Sequence, residues 1–180
     1  MNDWYTASDS PGLAEFGPVR GLGVTGMGEP GGTEHMTAIQ ALYAVAAPLL
    51  AGAVPALEGR WWVEDDRPPL TVPRSQWRWH LFLRLPESVE PGRVDGARQA
   101  TGLTSAARVQ VVMFTEGLCV QAMHHGSYDD EPETLARMDR FMAEQGLVNN
   151  GLHHEIYLSD VAETDTAKMR TILRQPVRAG

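Results

Sequence analysis

The chain has few of the features that mark several protein classes. Its 180 residues include one cysteine, Cys119, so no intramolecular disulfide can form and nothing indicates an oxidising compartment. No apolar run approaches the roughly 20 residues of a membrane-spanning helix. The N-terminal region also lacks the basic residues of a secretory signal. A cytoplasmic location is the expectation.

Positive charge is scarce as well. Lys168 is the only lysine, the 14 arginines are scattered, and the formal net charge is −8. Proteins that bind DNA or RNA normally carry a basic patch, because neutralising phosphates dominates their affinity. We therefore expect no nucleic-acid or membrane partner, but a hydrophobic aromatic small molecule. The sequence predicts no particular oligomeric state.

The order strand-helix-strand-strand occurs twice along the chain. Residues 1–17 lack periodicity and are interpreted as a flexible tail before a domain over residues 18–180. That domain divides into two fused halves, about 19–85 and 107–178. The predicted fold class is α+β, with duplicated modules related by pseudo-twofold symmetry, antiparallel sheets, helices on one side and a central ligand cleft.

Three local predictions depend on spacing. In the first helix, Met36, Ile39 and Tyr43 fall on one stripe at helical spacing, which predicts a buried face. Between two predicted strands, residues 115–117 are interpreted as the turn of a β-hairpin. Cys119 lies in an alternating strand and is expected to be buried as a small apolar residue.

Glu155 interrupts an otherwise apolar strand. A carboxylate at mid-strand lies either on a wetted face or in a partly apolar cleft, where its reactivity changes. Strand alternation places Ile156 and Leu158 on one face, and Glu155 and Tyr157 on the other. If the apolar pair packs on the helices, Glu155 and Tyr157 line the cleft.

The equivalent strand of the first half carries two adjacent tryptophans. The same alternation sends Trp61 toward the helices and Arg60 and Trp62 toward the cleft, although a one-residue change of register exchanges the tryptophans. The alternatives to a cleft glutamate are a solvated strand carboxylate and a carboxylate paired with Arg60 or Arg170.

Two further patterns are discounted. Gly21-Leu-Gly-Val-Thr-Gly26 matches the dinucleotide-binding pattern, but no helix begins directly after it and no acidic residue follows about 20 positions on. Adjacent histidines at 124–125 and 153–154 point to opposite faces of a strand, so neither pair chelates one ion. We expect no metal, and we interpret His125 as satisfying backbone groups beside the Gly126 turn.

Four segments together resemble the GyrI-like small-molecule-binding family: Leu57-Glu-Gly-Arg-Trp-Trp62, Glu116–Pro132, His153-His-Glu-Ile-Tyr-Leu-Ser-Asp160 and Met169–Val177. The resemblance implies the duplicated fold, a central cleft and a ligand contact by Glu155. Stand-alone members with these patterns resemble a branch that hydrolyses cyclopropanoids. Those are flat polyaromatic DNA-alkylating compounds whose strained cyclopropane is conjugated to a dienone. Relatives fused to helix-turn-helix domains sense drugs. The residues before Val19 are too few for such a domain, so a role as a regulator is not expected.

Hydration of such a cyclopropane needs flat aromatic surfaces, a held water and a base. Glu155 and Tyr157 are therefore the predicted catalytic residues, with Glu155 as the base and Tyr157, or alternatively Arg60, as the stabiliser of the phenolate oxygen. Ring strain and aromatisation supply the driving force, so no cofactor is expected. The alternative is non-catalytic binding or sequestration of hydrophobic cations. The predicted ligand-binding residues are Trp62, Trp61, Tyr43, Trp79, Arg60, His125 and Met123.

Overall fold

The structure is a computed structural model that describes residues 3–50, 52, 55–160 and 163–180. Within those ranges the chain forms seven strands and three α-helices, and no helix has the length and apolar character needed to cross a bilayer. The strands are β1 Gly12–Met27, β2 Leu57–Trp62, β3 Arg78–Arg84, β4 Gln110–His125, β5 Leu147–Asn149, β6 His153–Tyr157 and β7 Arg170–Ala179, and the helices are α1 Thr33–Ala46, α2 Arg93–Ala100 and α3 Glu131–Glu144.

The observed order of elements confirms the predicted α+β class. Strand-helix-strand-strand occurs as β1-α1-β2-β3 and again as β4-α3-β6-β7. Only the short strand β5, directly after α3, escaped the sequence pattern, because three residues are too few to show alternation.

The chain folds into two compact units. Unit 1 comprises residues 1–18, 56–58 and 115–180, and unit 2 comprises residues 19–55 and 59–114. In unit 1, β7 pairs antiparallel with β4, β5 and β6. In unit 2, β1 pairs antiparallel with β3, and β2 is the other neighbour of β3.

The core of unit 1 lies between α3 and the sheet. Met138 and Met142 of α3 pack against Ala122 of β4 and Leu173 of β7. Pro132 is tolerated in the first turn of α3, because the N–H that proline lacks has no intrahelical acceptor there. The helix therefore begins at a fixed place and presents its N-terminal residues to the end of the sheet.

Two of the local predictions were wrong, the first of them only in part. Met36 is 48% exposed, whereas Ile39 of the same predicted stripe is buried, because the inward face of α1 includes Ile39, Leu42 and Val45. Residues 110–125 form one continuous strand and no hairpin. Gly117 has φ +68°, so it changes the direction of β4 locally without reversing the chain, while the preceding side chain, Glu116, is buried.

The N-terminal segment differs from the loose tail that the sequence predicted. β1 begins at Gly12, and Trp4 is only 6% exposed. The amide of Gln121 donates to the carbonyl oxygen of Thr6 at 2.9 Å, and the backbone N–H of Met123 donates to that of Ser8 at 2.8 Å. The segment thus runs along β4 within unit 1.

The glycines of the Gly21–Gly26 pattern make room for side chains of the neighbouring strand. A Cβ at Gly23 would overlap the imidazole of His80, and one at Gly26 would overlap the indole of Trp79. Both aromatic rings belong to β3 and are buried. Close strand packing within unit 2 therefore accounts for a pattern that mimics a nucleotide motif.

Gly26→Ala is expected to lower the free energy of unfolding by about 1–3 kcal/mol, because the added methyl collides with a fully buried ring. Gly17→Ala is the matched control in the same strand, since a Cβ there meets nothing within 4 Å. Urea denaturation of both variants measures the difference. Equal midpoints would contradict the packing role.

Candidate functional site

Glu155 and Tyr157 lie on the face of the unit 1 sheet against which α3 packs. In the register of β6 with β7, Glu155 is opposite Leu173 and Tyr157 is opposite Thr171. Residues directly opposite each other in an antiparallel pair share a face. Since Leu173 packs on Met138 of α3, the glutamate and the tyrosine also face the helix side.

The prediction that Ile156 and Leu158 pack on the helices was therefore wrong. Leu158 is 37% exposed, and Ile156 is fully buried on the face opposite to Glu155. The alternation of β6 itself is as predicted. Its orientation was not, because the N-terminal segment covers one face of this sheet, and the ring of Trp4 lies 6.1 Å from that of His154.

A hydrogen bond joins the two predicted catalytic residues. The hydroxyl of Tyr157 donates to Oε2 of Glu155 at 2.6 Å. Nε2 of His153 lies 3.4 Å from the other oxygen, Oε1, and the Glu155 side chain is 14% exposed. The ring of Tyr128 meets that of Tyr157 edge-on, with centroids 5.7 Å apart. The result is a half-buried carboxylate with one oxygen held and two aromatic rings beside it.

Glu131, the first residue of α3, supplies a second carboxyl group that the sequence reasoning missed. It is 8% exposed, and its Oε1 is buried without a hydrogen-bond partner among the described residues. Burial raises the pKa of Glu131 to about 9, and the negative charges of Glu155 and Asp129 add to the effect. An acidic residue in the first turn of a helix is usually solvated, so its type and position gave no signal.

At neutral pH the carboxyl group of Glu131 therefore keeps its proton beside the carboxyl group of Glu155. Partial burial, together with the charges of Glu131 and Glu155, also raises the pKa of Tyr128, which stays a neutral phenol. A protonated carboxyl group beside a second carboxyl group is an arrangement that acid–base catalysis uses.

Glu131→Gln is expected to stabilise the protein at neutral and alkaline pH. Because the folded-state pKa of about 9 lies above the ordinary value of 4.5, the unfolded chain loses this proton first, and stability falls as pH rises through that window. Glutamine does not ionise, so the Glu131→Gln variant lacks this part of the fall in stability. Urea denaturation across the window measures it, with the exposed neighbour Glu133→Gln as control. An equally steep decline in Glu131→Gln would contradict the shift.

On the opposite face of the same sheet, His154 lies between two buried carboxylates. Its Nδ1 is 3.0 Å from Oε1 of Glu116, and its Nε2 is 3.0 Å from Oε2 of Glu58. Burial lowers the pKa of His154, but the hydrogen bonds and charges of the two carboxylates outweigh it and raise the pKa above its ordinary value. With a carboxylate oxygen 3.0 Å from each ring nitrogen, both nitrogens are placed to donate, which is the arrangement of an imidazolium ion.

Arg174 balances the remaining charge. It is fully buried, its Nε donates to Oε1 of Gln121 at 3.0 Å, and its Nη2 donates to the carbonyl oxygen of Trp4 at 2.7 Å. The guanidinium carbon also lies 3.7 Å from the centroid of the Phe16 ring. With two cations and two carboxylates, this buried network is neutral overall, which reduces the cost of keeping charges away from water.

Residues 15–178 match the GyrI-like small molecule binding domain. The chain belongs to the GyrI-like family. The crystal structure of an uncharacterized conserved protein from Listeria innocua resembles this domain with a TM-score of 0.89 at 36% sequence identity, over 97% of this chain and 95% of that one. The crystal structure of a hydrolase from Listeria innocua has a TM-score of 0.82 at 35% identity over the same shares.

More distant structures share the fold. SAV2435, solved bound to tetraphenylphosphonium, has a TM-score of 0.52 at 14% identity, over 94% of each chain. A comparison with curated proteins finds no match. The family model and the solved structures thus agree on the fold of this GyrI-like domain.

Two of the predicted ligand tryptophans of the GyrI-like domain pack inside unit 2. Trp61 is 8% exposed and stacks on His35, with centroids 5.6 Å apart. Trp79 is fully buried and meets the same imidazole edge-on at 5.4 Å. Trp62 is half-buried. In this structure Trp79 has no exposed surface for a ligand.

Two more predicted ligand residues make specific contacts within unit 2. Arg60 donates through Nε to Nδ1 of His80 at 3.1 Å, and its guanidinium carbon lies 3.7 Å from the centroid of the Phe114 ring. Tyr43 is half-buried, and its hydroxyl donates to the carbonyl oxygen of Pro55 at 3.3 Å. These contacts hold the side chains of Arg60 and Tyr43 in place.

Met123 and His125 line an open groove of about 550 Å³ in unit 1. Nε2 of His125 lies 2.7 Å from Oδ1 of Asp9, so the prediction that His125 serves the backbone beside the Gly126 turn was wrong. The partner belongs to the N-terminal segment, which the sequence pattern did not place. Arg137 donates to the carbonyl oxygen of Asp9 at 3.2 Å on the same groove.

Cys119 is fully buried, as predicted, and burial raises the pKa of its thiol to about 12, which makes it a poor nucleophile. In the part of the chain that the structure describes, no three His, Cys, Asp or Glu side chains are grouped to hold a metal ion.

Proposed function

We propose that this GyrI-like domain is a hydrolase that detoxifies polyaromatic DNA-alkylating compounds by adding water to their activated cyclopropane. The observation that carries the proposal is the Glu155–Tyr157 hydrogen bond at 2.6 Å on a partly buried, aromatic face of unit 1. Two crystal structures of hydrolases from Listeria innocua, each 35% identical to this chain, support the reaction class.

In the proposed reaction Glu155 removes a proton from the attacking water. The Tyr157 hydroxyl occupies Oε2, which leaves Oε1 to accept that proton. The water oxygen bonds to a cyclopropane carbon while the bond from that carbon to the dienone ring breaks. Its electron pair aromatises the ring and places negative charge on the former carbonyl oxygen. The rings of Tyr128 and Tyr157 supply flat faces for the substrate.

Glu155→Gln is expected to lower the rate of hydration by about 10²–10⁴-fold, because glutamine cannot take the proton. The test mixes substoichiometric protein with a synthetic spirocyclopropyl dienone and follows the loss of the dienone absorbance. Tyr157→Phe, which frees Oε2 but keeps the base, should retain more activity than Glu155→Gln. Constant absorbance with the wild type, despite saturable quenching of tryptophan fluorescence, would refute the hydrolase.

Binding without turnover is the second candidate function. The carboxyl group of Glu155 beside two tyrosine rings also suits an aromatic cation. SAV2435, which shares the fold, is bound to such a cation, tetraphenylphosphonium. A binder releases its ligand unchanged and protects stoichiometrically, whereas the hydrolase consumes excess ligand. The same absorbance experiment therefore separates the two functions.

A further inference from the structure

Glu131 carries a buried carboxyl oxygen, Oε1, that has no hydrogen-bond partner among the described residues. Such groups are rare in folded proteins, and a catalytic role is one of the explanations for them. Glu131 is also close enough to Glu155 for the two charges to interact, so the unsatisfied oxygen belongs to the same site.

We propose that Glu131 is a second catalytic residue, whose carboxylic acid protonates the substrate oxygen that becomes a phenol. The inference rests on the hydrolase function proposed above. It gives the two carboxyl groups opposite roles, with Glu155 taking a proton from water and Glu131 giving one to the product.

The groups that face Glu131 favour its acid form. Glu155 of β6 and Asp129 of the preceding turn are negative, and Tyr128 is a neutral phenol. His153 of β6 lies against the other carboxyl group of the site, with its Nε2 3.4 Å from Oε1 of Glu155. Burial adds to the two negative charges, so the proton stays on Glu131 at neutral pH.

Other polar groups near the start of α3 have partners of their own. The carboxylate of Asp130 accepts from the hydroxyl of Ser127 at 2.7 Å, and Thr134 is 3.0 Å from Nδ1 of His124. Glu133 is exposed. Among the acidic residues of this turn, Glu131 alone is buried, which singles it out as the proton donor.

The proton balance of the reaction closes with these two residues. Water loses one proton to Glu155 and bonds to the cyclopropane carbon, and the breaking carbon–carbon bond sends its electrons to the carbonyl oxygen. That oxygen takes the proton of Glu131 and becomes a phenol. One water has then been added, Glu155 is protonated and Glu131 is ionised. A proton transfer between them through solvent restores the starting state.

The test compares wild type, Glu131→Gln and Glu133→Gln with a series of spirocyclopropyl dienones whose product phenols differ in acidity. Glutamine keeps the shape and a hydrogen-bond donor but cannot deliver a proton. We expect Glu131→Gln to lower kcat by about 10²–10³-fold. The loss should shrink as the product phenol becomes more acidic, because that oxygen then needs the proton less. Glu133→Gln should behave as wild type.

The pH dependence gives a second measurement that does not require a variant to fold. The wild-type rate should fall above about pH 9, where Glu131 ionises, and this limb should be missing from Glu131→Gln. A wild-type rate without the alkaline limb would overturn the inference, as would a Glu131→Gln rate equal to wild type. So would a loss of rate independent of phenol acidity.

Different results would contradict the hydrolase function and the role of Glu131. Wild-type protein that leaves the dienone unchanged overturns the hydrolase and this inference together. Turnover that is lost in Glu155→Gln but unchanged in Glu131→Gln overturns only the role of Glu131.

Discussion

Replacing Glu58 with alanine is expected to lower the free energy of unfolding by about 3–5 kcal/mol, because a buried ion pair loses one partner. The Glu58 carboxylate accepts from the Trp4 indole at 3.1 and 3.0 Å and from the Tyr5 hydroxyl at 3.2 Å, and it lies 3.0 Å from Nε2 of His154. Its removal leaves two donors without this acceptor and an imidazolium with one counter-ion fewer. Since small domains have a total stability of about 5–15 kcal/mol, the variant should melt far below wild type.

Glu64→Ala is the control for Glu58→Ala. Glu64 follows β2 closely in the chain, but its side chain is 64% exposed and pairs with Arg78 at 2.8 Å in solvent. An exposed pair of this kind contributes about 0–1 kcal/mol. Urea and thermal denaturation of both variants measure the contrast. The free energy of unfolding of Glu58→Ala could instead lie within about 1 kcal/mol of that of Glu64→Ala, which is the range of a surface ion pair. The buried network would then have no structural role.

Trp4→Ala is expected to cost about 3–5 kcal/mol of stability, the usual range for removing a buried tryptophan. The indole packs edge-on against Phe16 with centroids 5.3 Å apart, and it lies 4.6 Å from the guanidinium carbon of Arg174. It is also a hydrogen-bond donor to Glu58. The substitution therefore opens a cavity beside two buried charges.

Tyr5→Phe provides the graded comparison for Trp4→Ala. It removes only the hydroxyl that donates to Glu58, so a loss of about 0.5–1.5 kcal/mol is expected. If Trp4→Ala had the same urea midpoint as the wild type, the N-terminal segment would be the loose tail that the sequence predicted. The losses in Trp4→Ala and Glu58→Ala should not add, because the two side chains are in contact.

The sequence was sufficient for features that repeat along the chain. The order strand-helix-strand-strand was recognised in both halves, because its strands and helices have enough residues to show a period, although β4 was divided into a hairpin. Glu155 and Tyr157 stood out because a polar pair in an apolar strand breaks that period. The structure joins them by a hydrogen bond, and their catalytic role stays a proposal.

The remaining features depend on contacts between distant parts of the chain. Glu58, Glu116 and His154 meet in space although 96 positions separate the first from the last, and no spacing rule connects them. Trp4 and its neighbour Tyr5 precede a run of small and polar residues, so no period could show that Trp4 is buried. Glu131 looked like an ordinary helix-start acid, and only the nearby charge of Glu155 and the burial set it apart.

The position of β7 bears on how this protein folds as it is synthesised. β7 pairs with β4, β5 and β6, and all three precede it in the chain. Until residues 170–179 leave the ribosome, those three strands lack the pairing partner that β7 provides, and open strand edges invite association with other chains. The pairing of β4, β5 and β6 in unit 1 is therefore completed only after β7 has been synthesised.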